Sequence, residues 1–158
     1  MGKLTALLCI AFGLAGCASG PAPTAYGHFV QVPVAANDKV MADDVANKLG
    51  TLYPPARTSI KLRQATPDAF GITLVTALRT KGYALAEFDP AQRTGTPAGT
   101  AGGMSATGGD LALAYVVDQP LDAGIYRVTV VLNSQSLSRV YKAKDGGIAP
   151  AGYWVRKE

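Results

Sequence analysis

The apolar and polar positions divide the chain into segments of different period. Residues 4–15 form an unbroken apolar and small-residue run behind a single lysine, Lys3. Residues 18–27 are rich in Ala, Gly, Pro and Ser and predict a flexible or extended tether. Residues 28–34 alternate from Phe29 and read as a short strand. Met41, Val45 and Leu49 recur at i, i+4 and i+8, which predicts a helix over about residues 39–49. Asn37 or Asp38 can cap its start, and Gly50 sits where a left-handed glycine closes a helix. Tyr53-Pro54-Pro55 then forces extended backbone. Residues 58–63 follow as a strand with Ile60 and Leu62 on one face.

A second helix is marked by Thr66 as N-cap, Pro67 at the first helical position and Asp68 at the positive end of the dipole. Phe70, Leu74, Ala77, Leu78 and Lys81 continue its stripe, and Gly82 ends it. Residues 83–88 read as the next strand, so 58–88 form a strand–helix–strand unit. If its strands are parallel, the crossover is right-handed. Residues 89–109 carry Pro90, Pro97 and six glycines from Gly95 to Gly109, the composition of a long loop. Beyond it lie strands over 111–118, 124–132, 136–142 and 152–156, with turns at 133–135 and 145–147. Tyr126, Val128, Val130 and Leu132 share one face. The expected class is α+β: two helices packed on a mainly antiparallel sheet, the strand–helix–strand unit followed by a β-rich C-terminal part.

The N-terminal run sets the compartment. One positive charge, about a dozen apolar residues and a small-residue end make a secretory signal, too short to cross a membrane as a helix. It closes on Leu14-Ala15-Gly16-Cys17, the lipobox pattern of bacterial lipoproteins. Residues 1–16 are expected to be removed and Cys17 to take a diacylglyceryl group, with a further acyl chain such as palmitate on the freed amine. The competing reading is a secreted protein cut after an Ala-x-Ala-like site. Two or three chains anchor a protein stably. Ala18, in place of an aspartate, resembles the sorting signal for an outer membrane facing the periplasm. The expected organisation is a removed signal (1–16), a lipidated cysteine and tether (17–27) and one periplasmic α+β domain (28–158). Cys9 lies in the signal, so the mature chain has no disulfide or free thiol.

Of the 158 residues, 48% are hydrophobic and 16% charged, enough apolar content for one core. The formal net charge is +4, spread along the chain without a basic block, so nucleic-acid binding is not expected. His28 is the only histidine, so a zinc or haem site of the usual kind cannot be built, and no cofactor is expected. His28 itself reads as an exposed residue beside the tether. Asp43 and Asp44 are neighbours on a helix and read as solubilising charges. The glycines at 102–109 lack a following Gly-Lys-Ser/Thr and make no phosphate loop. An envelope hydrolase would have to rely on His28 or Asp110, and no nucleophile turn accompanies them, so no enzyme is expected. Tyr126, Tyr141, Tyr153 and Trp154 read mainly as core, with an exposed subset suited to a protein interface.

Tyr26-Gly27-His28-Phe29, Leu137-Ser138-Arg139-Val140-Tyr141 and the closing Ala149-Pro150-Ala151-Gly152-Tyr153-Trp154-Val155-Arg156-Lys157-Glu158, together with the lipobox, resemble the TrbH conjugal transfer lipoproteins. The resemblance covers essentially the whole chain. It implies a structural lipoprotein of the mating-pair formation apparatus in plasmid-type type IV secretion, with no catalytic residues. It further implies outer-membrane secretion channel subunits as partners, and a homo-oligomer or ring. The strand–helix–strand unit is also similar to the ring-building domains of secretins, a likeness of fold alone. The alternative is a generic envelope lipoprotein that grips peptidoglycan or an outer-membrane protein.

Overall fold

A computed structural model describes residues 26–90, 109–120 and 124–158. Cys17, the lipobox and positions 91–108 of the expected loop lie outside these residues. Among the described residues the chain runs β1 (Gly27–His28), α1 (Ala35–Leu52), a 3-10 turn (Pro55–Arg57), β2 (Thr58–Leu62), α2 (Ala69–Thr80), β3 (Ala84–Ala86), β4 (Gly109–Asp118), β5 (Ile125–Leu132), β6 (Gln135–Lys144), β7 (Gly147–Pro150) and β8 (Val155–Lys157). The α+β class holds, with two helices beside one eight-stranded mixed sheet ordered β3-β2-β4-β5-β6-β7. No described helix is long and apolar enough to cross a membrane.

α1 buries Met41, Ala42, Val45, Ala46 and Leu49 along the predicted face. Its boundaries differ from the expected ones. It starts at Ala35 with Val34 as an extended N-cap that makes no side-chain cap, so Asn37 and Asp38 lie inside the first turns. The amides of Asn37 and Asp38 reach the Val34 carbonyl at 2.8 and 3.0 Å, while the Asp38 carboxylate is engaged elsewhere. Gly50 is an ordinary helical residue. The helix runs on to Leu52 and stops because Tyr53 precedes Pro54.

α2 starts two residues later than predicted. Asp68, not Thr66, is its N-cap, and Oδ1 of Asp68 accepts from the Gly71 amide at 2.8 Å. At the other end Tyr83 N–H reaches the Leu78 carbonyl and Gly82 N–H that of Arg79, with Gly82 at φ +89°. This pair of bonds is a Schellman closure, as the glycine suggested.

The strand–helix–strand unit is parallel: Ile60 faces Leu85 in β3 and Leu111 in β4. β4 to β7 then pair antiparallel in succession. The strand expected over 28–34 is only Gly27–His28, paired parallel with Val116 and Val117 of β4. β3 is likewise shorter than the expected 83–88. β1 and β2 share one edge of β4 end to end. In the gap between them the Gln64 side chain accepts from the Tyr115 amide at 2.9 Å and replaces a missing ladder bond.

A similar interruption occurs on the far edge. Tyr141 faces Pro150 in β7, but Ser138 faces Val155 in β8, so Arg139 and Val140 lie opposite the four residues 151–154. The last strand is therefore 155–157, not 152–156, and β7 was absent from the expected elements. Pro150 sits where it can, on an edge strand. Asp145 and Gly146, at φ 49° and 80°, make the tight turn into β7.

Register places Ile60, Leu62, Leu111, Leu113, Tyr115, Val117, Val128, Val130, Leu132, Leu137 and Tyr141 on one face of the sheet. These form a single core with the apolar sides of α1 and α2. Both helices thus cover one face. Burial of this apolar layer stabilises the fold by about 25 cal/mol per Å² of apolar area removed from water.

Candidate functional site

Three aspartates tie the helices to the sheet, and each departs from its expected role. Asp44 of α1 accepts from the Tyr141 hydroxyl at 2.6 Å and from Arg139 Nη1 at 2.8 and 3.0 Å. It is a structural acceptor, not a solubilising charge. Asp43 instead pairs with Lys39 at 2.6 Å one helical turn away on the exposed side. Arg139 also donates from Nε to the Gly152 carbonyl at 2.9 Å and lies 5.9 Å above the Trp154 ring. One guanidinium therefore joins α1, β6 and the segment between β7 and β8. Burial, and next the hydrogen bond to Asp44, push the Tyr141 hydroxyl far above the ordinary tyrosine range, so it remains a neutral donor.

Asp68 divides its two oxygens. Oδ1 caps α2 and Oδ2 accepts from the Tyr115 hydroxyl at 2.6 Å. Tyr115 is fully buried, and that burial, then Asp68, raise its pKa strongly. The hydroxyl lies where a side chain at residue 71 would begin. Only glycine leaves room for it, since an added Cβ would also meet Thr66 Cβ at 2.8 Å. The Phe70 ring packs 4.9 Å from Tyr115.

Asp38 binds the histidine. His28 Nε2 lies 2.8 Å from Asp38 Oδ1, with side chains only 6% and 3% exposed. The expectation of an exposed His28 is overturned, because β1 carries it onto the helix-covered face. The second oxygen of Asp38 and the Gln64 amide nitrogen are buried with no hydrogen-bond partner among the described residues. Next to β1, Arg63 stacks over the Tyr26 ring at 5.7 Å.

His28 and Asp110 are not brought together. His28 faces Val117, whereas Asp110 sits seven residues earlier on β4, roughly 23 Å away at about 3.3 Å per residue. Asp110 accepts instead from the Ser59 hydroxyl. Among the described residues no three His, Cys, Asp or Glu side chains gather as a metal-binding set.

The aromatic residues divide as the sequence suggested. Tyr141 is core, Tyr126 and Trp154 pack against it, and Tyr153 is 93% exposed. Two of the short stretches that carry the family resemblance meet in space: Arg139 and Tyr141 come from one, Gly152 and Trp154 from the other. His28, from the third, bonds instead to Asp38 of α1. Sequence reasoning missed the acidic partners, Asp38, Asp44 and Asp68, because no local pattern distinguishes a structural carboxylate from a solvated one.

A family model described as conjugal transfer protein TrbH matches residues 23–158. Comparison with curated proteins and with solved structures gives no match.

Proposed function

The chain belongs to the TrbH family of conjugal transfer proteins, and on that premise we propose that it is a lipid-anchored structural component of a conjugative type IV secretion apparatus, stabilising its outer-membrane channel complex. The observation that carries this reading is the family match, which spans all the described residues. Two features support it. Cys17 directly follows Leu14-Ala15-Gly16, a pattern with a specific chemical use. The polar groups of the domain are also used to hold its layers together: Asp44, Arg139, Asp68 and His28 each bind a partner within the fold. The mechanism is anchorage. Acyl chains on Cys17 hold copies in one leaflet of the outer membrane, facing the periplasm. That raises their effective concentration for contact with channel subunits and with one another.

Replacing the anchor tests this. Cys17→Ser should release the protein into the soluble periplasmic fraction and sharply lower DNA transfer. Unchanged membrane fractionation of Cys17→Ser overturns the anchor reading.

A further inference from the structure

The two helices cover only one face of the sheet. Positions alternating with the core set form the opposite face, and among the described residues no helix lies on it. Register places Lys61 of β2, Lys142 and Lys144 of β6 and Lys157 of β8 on this face. All four are exposed and have no ion-pair partner among the described residues. Asp118 is neutralised by Arg127 at 2.6 Å. Asp110, which accepts from the Ser59 hydroxyl, and Asp145, in the turn after Lys144, keep their charge, and the four lysines still leave the face net cationic. Val155, 61% exposed, and Val140 lie among the lysines. The face is thus cationic and lightly apolar. Two copies facing each other across it would bring lysines together, which disfavours self-association there.

The length of the preceding chain limits what can meet this face. Eight residues separate Cys17 from Tyr26. At full extension they reach roughly 30 Å, at about 3.5 Å per residue. The tether joins the sheet at Gly27, opposite Val116, which itself points to the helix-free side. We propose that this face lies on the anionic phospholipid surface of the membrane that holds the acyl chains, with Lys61, Lys142, Lys144 and Lys157 against the headgroups. The proposal rests on the lipid-anchor reading above. Each lysine close to an anionic surface strengthens adsorption by about fivefold. Tethering makes that adsorption intramolecular.

Lysine footprinting of the lipidated full chain tests it. The protein is reconstituted into vesicles of phosphatidylcholine alone or with phosphatidylglycerol, labelled with an amine-reactive acetylating reagent, and mapped by mass spectrometry. Lys39 and Lys48 of α1 and Lys81 at the C-terminal end of α2 are the internal controls. The expected result is labelling of the four face lysines slowed by about fivefold or more relative to the controls, only with phosphatidylglycerol, and restored by about 1 M salt. Lys142→Glu with Lys144→Glu should also restore labelling at Lys61 and Lys157. Equal labelling of both lysine sets with phosphatidylglycerol overturns the proposal, as does equal protection in phosphatidylcholine. Protection seen only in native membranes that contain the secretion proteins assigns the face to an acidic protein and also overturns it. The mass of the Cys17 peptide from the same digest reports the acyl chains, so a failed anchor is recognised separately from a failed face.

Discussion

Gly71→Ala should destabilise this protein, against the ordinary expectation for a helix. Within a helix, glycine to alanine gains up to about 1 kcal/mol from propensity and backbone entropy. Here the new methyl would overlap the Tyr115 hydroxyl and come within 2.8 Å of Thr66 Cβ and 3.1 Å of Thr66 Cα. Tyr115 is fully buried and packed against Phe70, so its ring has no easy escape. Overpacking of this kind costs about 1–3 kcal/mol, and losing the charge-assisted bond to Asp68 adds about 1.5–3. After the propensity gain, the net loss is about 1.5–5 kcal/mol, centred near 3. With a urea m-value near 2 kcal/mol/M, the midpoint should fall by about 1–2 M, read by far-UV circular dichroism. Tyr115→Phe removes the obstructing oxygen. In that background Gly71→Ala should cost at least about 1 kcal/mol less, a coupling typical of residues in contact. The Thr66 contact remains, so rescue should be partial. A neutral or stabilising Gly71→Ala, or one with the same cost in both backgrounds, refutes the reasoning.

Asp44→Ala leaves the Tyr141 hydroxyl without its acceptor and Arg139 without its carboxylate, and should cost about 2–4 kcal/mol, whereas Tyr141→Phe, which removes only one bond, should cost about 1; equal costs in urea melts contradict the network. His28→Ala strands Asp38 in the interior and should cost about 3 kcal/mol, with hydrogen exchange rising first at the amides of β1 and the start of α1; unchanged exchange there contradicts a fixing role for the pair. Arg139→Lys cannot both reach the Gly152 carbonyl and stack on the ring, so acrylamide quenching of Trp154, the one tryptophan, should increase while circular dichroism is unchanged. The raised pKa values of Tyr115 and Tyr141 favour the neutral form in the fold. Their contribution is therefore complete below the unfolded value near 10 and is lost above it, by about 1.4 kcal/mol per pH unit for each tyrosine. Melts from pH 8 to 12 should show stability falling only above about 10.

The alternation at Ile60 and Leu62, and at Val128, Val130 and Leu132, was legible because a strand buried on one face writes its own period into the sequence. The Met41, Val45 and Leu49 stripe was legible for the same reason. Ends were harder to read. Gly50 sits where a cap is expected, but the helix runs on to Leu52 and is stopped by Pro54, four residues after the glycine, and a steric block overrides a preference. Thr66 and Asp68 are both good caps. The choice fell to Asp68 because its other oxygen meets Tyr115, 47 residues away. The roles of Asp44 and Arg139 depend on contacts across 95 residues, which no local pattern records. His28 read as exposed because two residues of strand are too few to show an alternation, and it is the pairing with β4 that buries it.

The proposed place in the channel complex is tested most directly by what binds this protein in the cell. Tagged protein expressed from its native genetic context, extracted from the cell envelope in mild detergent and purified, identifies what is bound to it. Stoichiometric recovery of large channel-forming secretion subunits is the predicted result. Recovery of this protein alone, or with cell-wall fragments in place of channel subunits, contradicts the account.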